Sequence, residues 1–186
     1  LVVGSGAGGA LTAALLAEAG RDVLLMEEGP CVDTSAISTN TPDAMRRLYR
    51  NGGLSPILGR PAMAFIEGCC VGGSTEINSA FWHRPPPEIL DEWRRDYAVR
   101  DLADETLAPL LDELEAELQV ARLPPAEVPL NSQLFRRGAE ALGWRFQEVA
   151  RAQAGDLSGS AFAAGAKRSM TQSFIPRALR AGARLL

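Results

Sequence analysis

An α/β fold built on a parallel sheet is what the sequence predicts, and three observations predict it. The chain opens on an apolar run, Leu1-Val2-Val3, that breaks at once into Gly4-Ser5-Gly6-Ala7-Gly8-Gly9. A stretch of small residues continues to Gly20, as expected of a helix lying close on a sheet. A second apolar run, Val23-Leu24-Leu25-Met26, then ends on Glu27. Strand, Gly-x-Gly-x-x-Gly, helix, strand and acid, in that order, form the dinucleotide fingerprint in the setting it requires. The expected fold is therefore Rossmann-like, of the FAD/NAD(P)-binding type, and incomplete, because one βαβ edge does not make a whole doubly wound sheet.

Each glycine of the first turn has a mechanical reason. Gly4 permits the tight turn off the strand, Gly6 lets backbone approach a pyrophosphate, and Gly9 lets the helix pack on the sheet. A pyrophosphate placed there meets the positive end of the helix. Glu27 stands 18 residues beyond Gly9, near the distance at which an acid accepts hydrogen bonds from an adenosine ribose. Glu28, its neighbour, is the second candidate for that role.

The remaining elements follow from pattern. Residues 8–20 read as a helix capped by Gly20, and 22–27 as a parallel strand buried on both faces. Residues 29–61 break into Ser, Thr, Asn, Pro and Gly, with one short amphipathic stretch at 42–49, an excursion of the kind that carries function. Residues 62–67 return as a short strand and lead into a second glycine turn, Gly68-Cys69-Cys70-Val71-Gly72-Gly73-Ser74-Thr75-Glu76-Ile77-Asn78. After the break at Arg84-Pro85-Pro86-Pro87, residues 88–97 read as a helix. Residues 106–120 form the clearest helix, with Leu107, Leu110, Leu111, Leu114 and Leu118 on one face, a solvated acidic face opposite, Thr106 as N-cap and Pro109 in the first turn. A helix over 132–142 stops at Gly143, 144–149 alternate as a strand, 151–166 form a Gly/Ala/Ser loop, and 173–183 form a last helix with Pro176 in its first turn. The organisation expected is a cofactor-binding part at 1–85, a mostly helical insertion at 86–160 and a return at 161–186.

Composition narrows the classes. The chain has 186 residues, net charge −4 and a sequence pI of about 5.1, which offers no basic stripe for nucleic acid. No apolar run approaches the roughly 20 residues that span a bilayer. Lys167 is the single lysine among 19 basic residues. Three cysteines, Cys31, Cys69 and Cys70, and one histidine, His83, provide neither a disulfide framework nor four metal ligands, and the cysteines read as small buried apolar residues. The missing initiator Met, the short first strand and the ending Arg184-Leu185-Leu186 lead us to expect a piece of a longer chain, cut at both ends. A leader segment is left open by that expectation, and a cytoplasmic location is favoured.

The second glycine turn separates the nucleotide enzymes. A nicotinamide enzyme needs one pyrophosphate loop. A second Gly-Gly-Ser-Thr with a nearby Asn suits a backbone that approaches another part of the cofactor, such as an isoalloxazine ring, with Ser, Thr and Asn as hydrogen-bonding groups. Gly4–Gly9 with Leu25-Met26-Glu27-Glu28-Gly29-Pro30, Gly72-Gly73-Ser74-Thr75-x-Ile77-Asn78, Arg84-x-Pro86 and Asp91-Glu92-Trp93 together resemble the glucose–methanol–choline (GMC) oxidoreductases. Gly165 to Met170 before Ile175-Pro176-Arg177-Ala178 resembles the segment with which that family returns to its FAD domain.

The resemblance implies an FAD-dependent oxidoreductase that takes hydride from the CH–OH group of a small-molecule alcohol, with the electron acceptor, oxygen or another, left open. It implies that Gly4, Ser5, Gly6, Ala7 and Gly9 hold the FAD pyrophosphate, that Glu27 holds the ribose, and that Gly72, Gly73, Ser74, Asn78 and Ser79 run along the pyrophosphate-to-flavin side. Some family members attach flavin through a His just before the Asn; here Ile77 stands there, which implies non-covalent FAD. The family's catalytic His lies near its C-terminus, and no residue of this chain matches it. His83 reads as structural or interfacial, so no catalytic residue is expected within these residues. Two other classes stay open: a different FAD- or NAD-dependent oxidoreductase sharing only the first motif, and a non-catalytic nucleotide-binding fragment.

Overall fold

The computed structural model describes residues 1–33, 41–100, 104–153 and 166–186. In chain order the strands and helices are β1 (Val2–Val3), α1 (Ala7–Glu18), β2 (Leu24–Met26), α2 (Thr41–Leu48), β3 (Ser55–Ile57), β4 (Met63–Phe65), β5 (Phe81–Trp82), α3 (Pro87–Tyr97), α4 (Asp104–Glu117), β6 (Val120–Ala121), α5 (Leu130–Ala141), β7 (Ala150–Ala152), α6 (Phe174–Arg180) and β8 (Arg184–Leu185). They fall into two compact units, Leu1–Ala80 with Ser160–Leu186, and Phe81–Gly159.

The first unit is the α/β part. Its sheet has the order β1-β2-β8, all parallel, with Val2 opposite Leu25 and Leu25 opposite Leu185. β2 is central, and its Leu25 is 1% exposed. Gly4 leaves β1 at φ 86°, in the left-handed region, while its N–H still donates to Met26 O at 2.7 Å. Helix α1 then starts at once. Its buried residues are all alanine, Ala10, Ala13, Ala14 and Ala17, so it can lie close to its neighbours. It packs against β1, β2 and α6, whose Phe174, Ile175 and Ala178 are buried. Arg177 on α6 pairs with Glu18 on α1 at 2.5 Å, across 159 residues of sequence. The closest approach is at Gly9, where an added Cβ would stand 1.8 Å from Gly4 O. The final residues, expected to begin another element, supply β8, the third strand of this sheet.

The stretch expected to be irregular up to residue 61 holds more structure than its composition suggests. α2 occupies 41–48, close to the amphipathic segment expected at 42–49. β3 pairs antiparallel with β4, the strand expected within 62–67, so that Ser55 faces Phe65 and Ile57 faces Met63.

In the second unit, helices α3, α4 and α5 accompany a three-stranded antiparallel sheet of order β5-β7-β6. That sheet corrects the expected strand at 144–149: the paired strand is Ala150–Ala152, facing Phe81 and Trp82 on one side and Val120 and Ala121 on the other. The alternation upstream has a different destination, since the Phe146 ring meets the α5 ring of Phe135 at 6.2 Å. α4 begins at Asp104, so Thr106 lies inside the helix rather than capping it and Pro109 falls beyond the first turn. Leu110 does not join the apolar face; it is 54% exposed. The acidic face is not merely solvated either: Glu115 accepts from Trp82 Nε1 and Arg84 Nε, both at 2.6 Å, and Asp112 accepts from Arg84 Nη2 at 2.5 Å. The last helix ends at Arg180 rather than 183, and of the loop expected at 151–166, residues 154–165 lie outside the described residues. The three thiols are free, and the buried-cysteine expectation holds for Cys70 alone; Cys69 is half-buried and Cys31 exposed.

Gly9 and Gly8 offer a paired test of how α1 docks. Gly9→Ala forces a methyl into the Gly4 carbonyl and should cost about 2–4 kcal/mol in urea unfolding, above ordinary overpacking because the obstacle is backbone. Gly8→Ala, with nothing within 4 Å of the new methyl, should be neutral or stabilise by up to about 1 kcal/mol through helix propensity. Equal effects at the two positions would refute this packing.

Candidate functional site

The two glycine turns meet in the first unit, and the contact is made through Ser5. This side chain is completely buried. Its Oγ donates to Glu27 Oε2 at 2.6 Å and accepts from Gly72 N–H at 2.8 Å. The Ser5 N–H also donates to Glu27 Oε2, at 2.8 Å, while Gly29 N–H donates to Oε1 at 3.1 Å. One carboxylate at the end of β2 thus fixes the β1–α1 turn directly and the Gly72 turn through a single hydroxyl.

Beside that link the backbones touch. A Cβ on Gly73 would stand 3.0 Å from Gly6 Cα, so a side chain there has no room. Gly73 lies at φ 57° and Gly72 at φ 95°, both in the region that favours glycine. Gly72 is constrained twice, because a Cβ would also stand 2.1 Å from Glu76 Oε1. On the other side the opposite holds: a Cβ on Gly6 or Gly8 would meet nothing within 4 Å. α1 has no side-chain cap and no acid in its first turn. Its leading N–H groups therefore face a space that no side chain of their own fills, which suits an anionic group.

The other expected residues separate into those at this junction and those beside it. Gly4 shapes the turn, and Gly9 supports it by packing against Gly4. Ala7 is exposed at the first position of α1. Ser74 is exposed and its Oγ accepts from Gly68 N–H at 3.0 Å. Asn78 and Ser79 are exposed at the far end of the turn, with Asn78 Oδ1 accepting from Ala80 N–H at 3.1 Å. Glu28 is directed elsewhere: it pairs with Arg50, whose guanidinium holds its carboxyl below the usual carboxylate range. Arg50 also binds Glu67 and lines a cavity of about 490 Å³ with Cys31, Arg46, Tyr49 and Asn51. His83 belongs to the second unit, where it is exposed and lines a cavity of about 820 Å³ with Arg84, Glu115 and Glu148.

The sequence pattern assigns no site role to Glu76, Lys167 or Thr171, yet Glu76 is 3% and Lys167 7% exposed at this site. The signal available was the departure of Glu76 from its small, apolar neighbours in the turn and the uniqueness of Lys167 among the basic residues.

Residues 45–186 match the GMC oxidoreductase family, and residues 2–50 match an NAD(P)-binding Rossmann-like domain. The chain belongs to the GMC oxidoreductase family. An uncharacterised GMC-type oxidoreductase of Sinorhizobium fredii is 38% identical over the whole chain, which spans 37% of that protein. An uncharacterised GMC-type oxidoreductase of Mycobacterium tuberculosis is 36% identical over the whole chain and 30% of its own length. A long-chain-alcohol oxidase of Arabidopsis thaliana is 31% identical, again over the whole chain and over 25% of its own length. The fold matches that of pyridoxine 4-oxidase from Mesorbium loti with a TM-score of 0.68 at 19% identity, over 99% of this chain and 41% of that one. The α/β, Rossmann-like fold expected from the sequence is thereby shown. The chain spans about a third of the length of the curated relatives it matches. Among the described residues, no helix is long and apolar enough to cross a membrane.

Ser5→Ala tests the junction. It leaves the buried Gly72 N–H without its acceptor and should cost about 1–3 kcal/mol in urea unfolding, whereas Ser74→Ala, at an exposed bond, should cost below about 1 kcal/mol. Faster amide exchange at Gly72 in Ser5→Ala would accompany the loss.

Proposed function

We propose that the chain is the cofactor-holding part of an FAD-dependent oxidoreductase acting on the CH–OH group of a small-molecule alcohol. The observation that carries this reading is the junction of the two glycine turns through Ser5, Glu27 and Gly72. One turn is enough for a pyrophosphate; two turns in backbone contact fit an extended ligand that continues past it. The open face at Gly6 and Gly8 and the uncapped start of α1 fit its anionic middle.

Within this reading Gly6 and Ala7 present backbone N–H groups to the pyrophosphate, Gly4 and Ser5, whose N–H groups go to Met26 O and Glu27 Oε2, shape the turn around it, and Gly9 keeps that turn pressed on α1. Glu27 Oε1 accepts one bond from Gly29, which leaves capacity for a ribose hydroxyl on the same oxygen. The Arg50 pair makes Glu28 the weaker candidate for that contact. Gly72, Gly73, Ser74, Asn78 and Ser79 line the path toward the flavin. When bound, FAD would supply the acceptor for hydride from the alcohol carbon. Removal of the hydroxyl proton is assigned to no side chain of this chain, because the whole protein's activity belongs with the greater length its relatives have. Relatives described as long-chain-alcohol oxidases support an alcohol as donor.

The purified chain, titrated with FAD, should acquire flavin absorbance and release all of it on acid precipitation, since Ile77 offers no ring nitrogen for a covalent link. Flavin remaining in the pellet would overturn the non-covalent reading. Gly6→Val should fold, because space is open around Gly6, but fail to retain flavin. Wild-type flavin content in that variant would move the pyrophosphate elsewhere. Parallel titration with NAD(P)H separates the nicotinamide alternative that the match of residues 2–50 favours.

A further inference from the structure

The segment after residue 165 fastens the second glycine turn at three places. Lys167 Nζ donates to Asn78 O at 2.6 Å. Met170 N–H donates to Thr75 Oγ1 at 3.0 Å, and that hydroxyl donates onward to Gly72 O at 2.7 Å. Thr171 gives Glu76 Oε1 two bonds, one from its hydroxyl at 2.9 Å and one from its N–H at 3.3 Å. Lys167, Ser169, Met170 and Glu76 are all buried. The attachments grip the start, middle and end of residues 72–78, so the shape of that turn is set by chain about 90 residues away in sequence.

We propose that Lys167–Thr171 is a clamp that holds the Gly72–Asn78 turn in its ligand-binding shape, with Lys167 as the positioning residue; the proposal rests on the flavin reading. The chemistry of the site favours lysine. A guanidinium carries five donors in a fixed fork, whereas an ammonium places one compact charge on the Asn78 carbonyl. In a chain whose other basic residues are all Arg, the single Lys stands at this carbonyl.

The ionic state of Lys167 distinguishes positioning from bulk stability. Burial lowers its pKa to about 8, against the pull of the Glu76 carboxylate. Cys70 is itself pushed up to about 12, chiefly by burial, and stays a thiol below that pH. In the unfolded chain the lysine holds its proton to about 10.4. Between these values the unfolded state binds more protons, so this group's contribution to stability rises with pH. The charged grip on Asn78 O is lost as the pH rises through about 8, and with it flavin affinity. A merely structural lysine would leave flavin affinity unchanged.

The test is to titrate the full apo chain with FAD between pH 7 and 9, following flavin fluorescence, and to melt the apo chain at each pH. The wild-type Kd should rise about tenfold across the range, the size of one charge-assisted hydrogen bond. Lys167→Met should melt at or above wild type at pH 7, bind FAD about tenfold more weakly there, and show no change of Kd with pH. Thr171→Val, which keeps the lysine, should bind more weakly but retain the wild-type pH profile. A flat wild-type profile, or wild-type affinity in Thr171→Val, overturns the clamp even if Lys167→Met does not fold. FAD binding that ignores both variants overturns the clamp alone, whereas no FAD binding by the wild-type chain overturns the flavin reading and the clamp with it.

Discussion

The hydroxyl of Ser5 is the contact on which the site depends. It is the only side chain in the first glycine turn that can both donate and accept, and it uses both capacities, toward Glu27 and toward the N–H of Gly72. Because Ser5 is wholly buried, neither bond competes with water, so each carries more weight than its exposed equivalent. The consequence is geometric: the end of β2, the start of α1 and the second glycine turn cannot shift independently. Gly6 and Gly73 can then approach as bare backbone, because the hydroxyl beside them already fixes their separation. A side chain on either glycine would compete with that arrangement or with a ligand.

How much of this the sequence disclosed follows the range of each interaction. β1, α1 and β2 were legible because their signals are local: Gly4 needs a positive φ, Gly9 needs to be bare against the Gly4 carbonyl, and Gly20 ends a run of small residues. The strand expected at 144–149 failed because alternation reports which side chains are buried, not what buries them. Phe146 meets Phe135 of α5, and Arg136 sits 5.9 Å from its ring, while Trp144 is 67% exposed and strand pairing passes to Ala150–Ala152. The N-cap at Thr106 failed for a related reason, since an equally plausible start lies two residues earlier and helix ends vary by such amounts.

The site was legible in its glycines and not in its fastenings. Gly72, Gly73, Ser74 and Asn78 announce themselves as a turn. Nothing local in Glu76 says that its carboxylate folds back over the Cα of Gly72, or that Thr171 receives it. Those contacts join positions 95 residues apart, and no periodicity or spacing encodes them. The acids of α4 make the same point: Glu115 looked like one of several solvated carboxylates, and only the antiparallel sheet shows that it takes Trp82 Nε1 and Arg84.

An electrostatic constraint remains in the arrangement. On the proposed cofactor reading, the turn that would receive an anionic ligand is flanked by two carboxylates, Glu27 on one side and Glu76 on the other, and both would repel it. Each is hydrogen-bonded locally rather than removed. Glu27 accepts from three donors, the N–H and hydroxyl of Ser5 in the first turn and the N–H of Gly29 just after β2, and this fixes their direction. Glu76 is 3% exposed and cannot rely on water, so it takes the two donors of Thr171. The carboxylates therefore set the geometry of the turn. Beneath the same turn the Lys167 ammonium holds the Asn78 carbonyl, even though its charge is costly to bury.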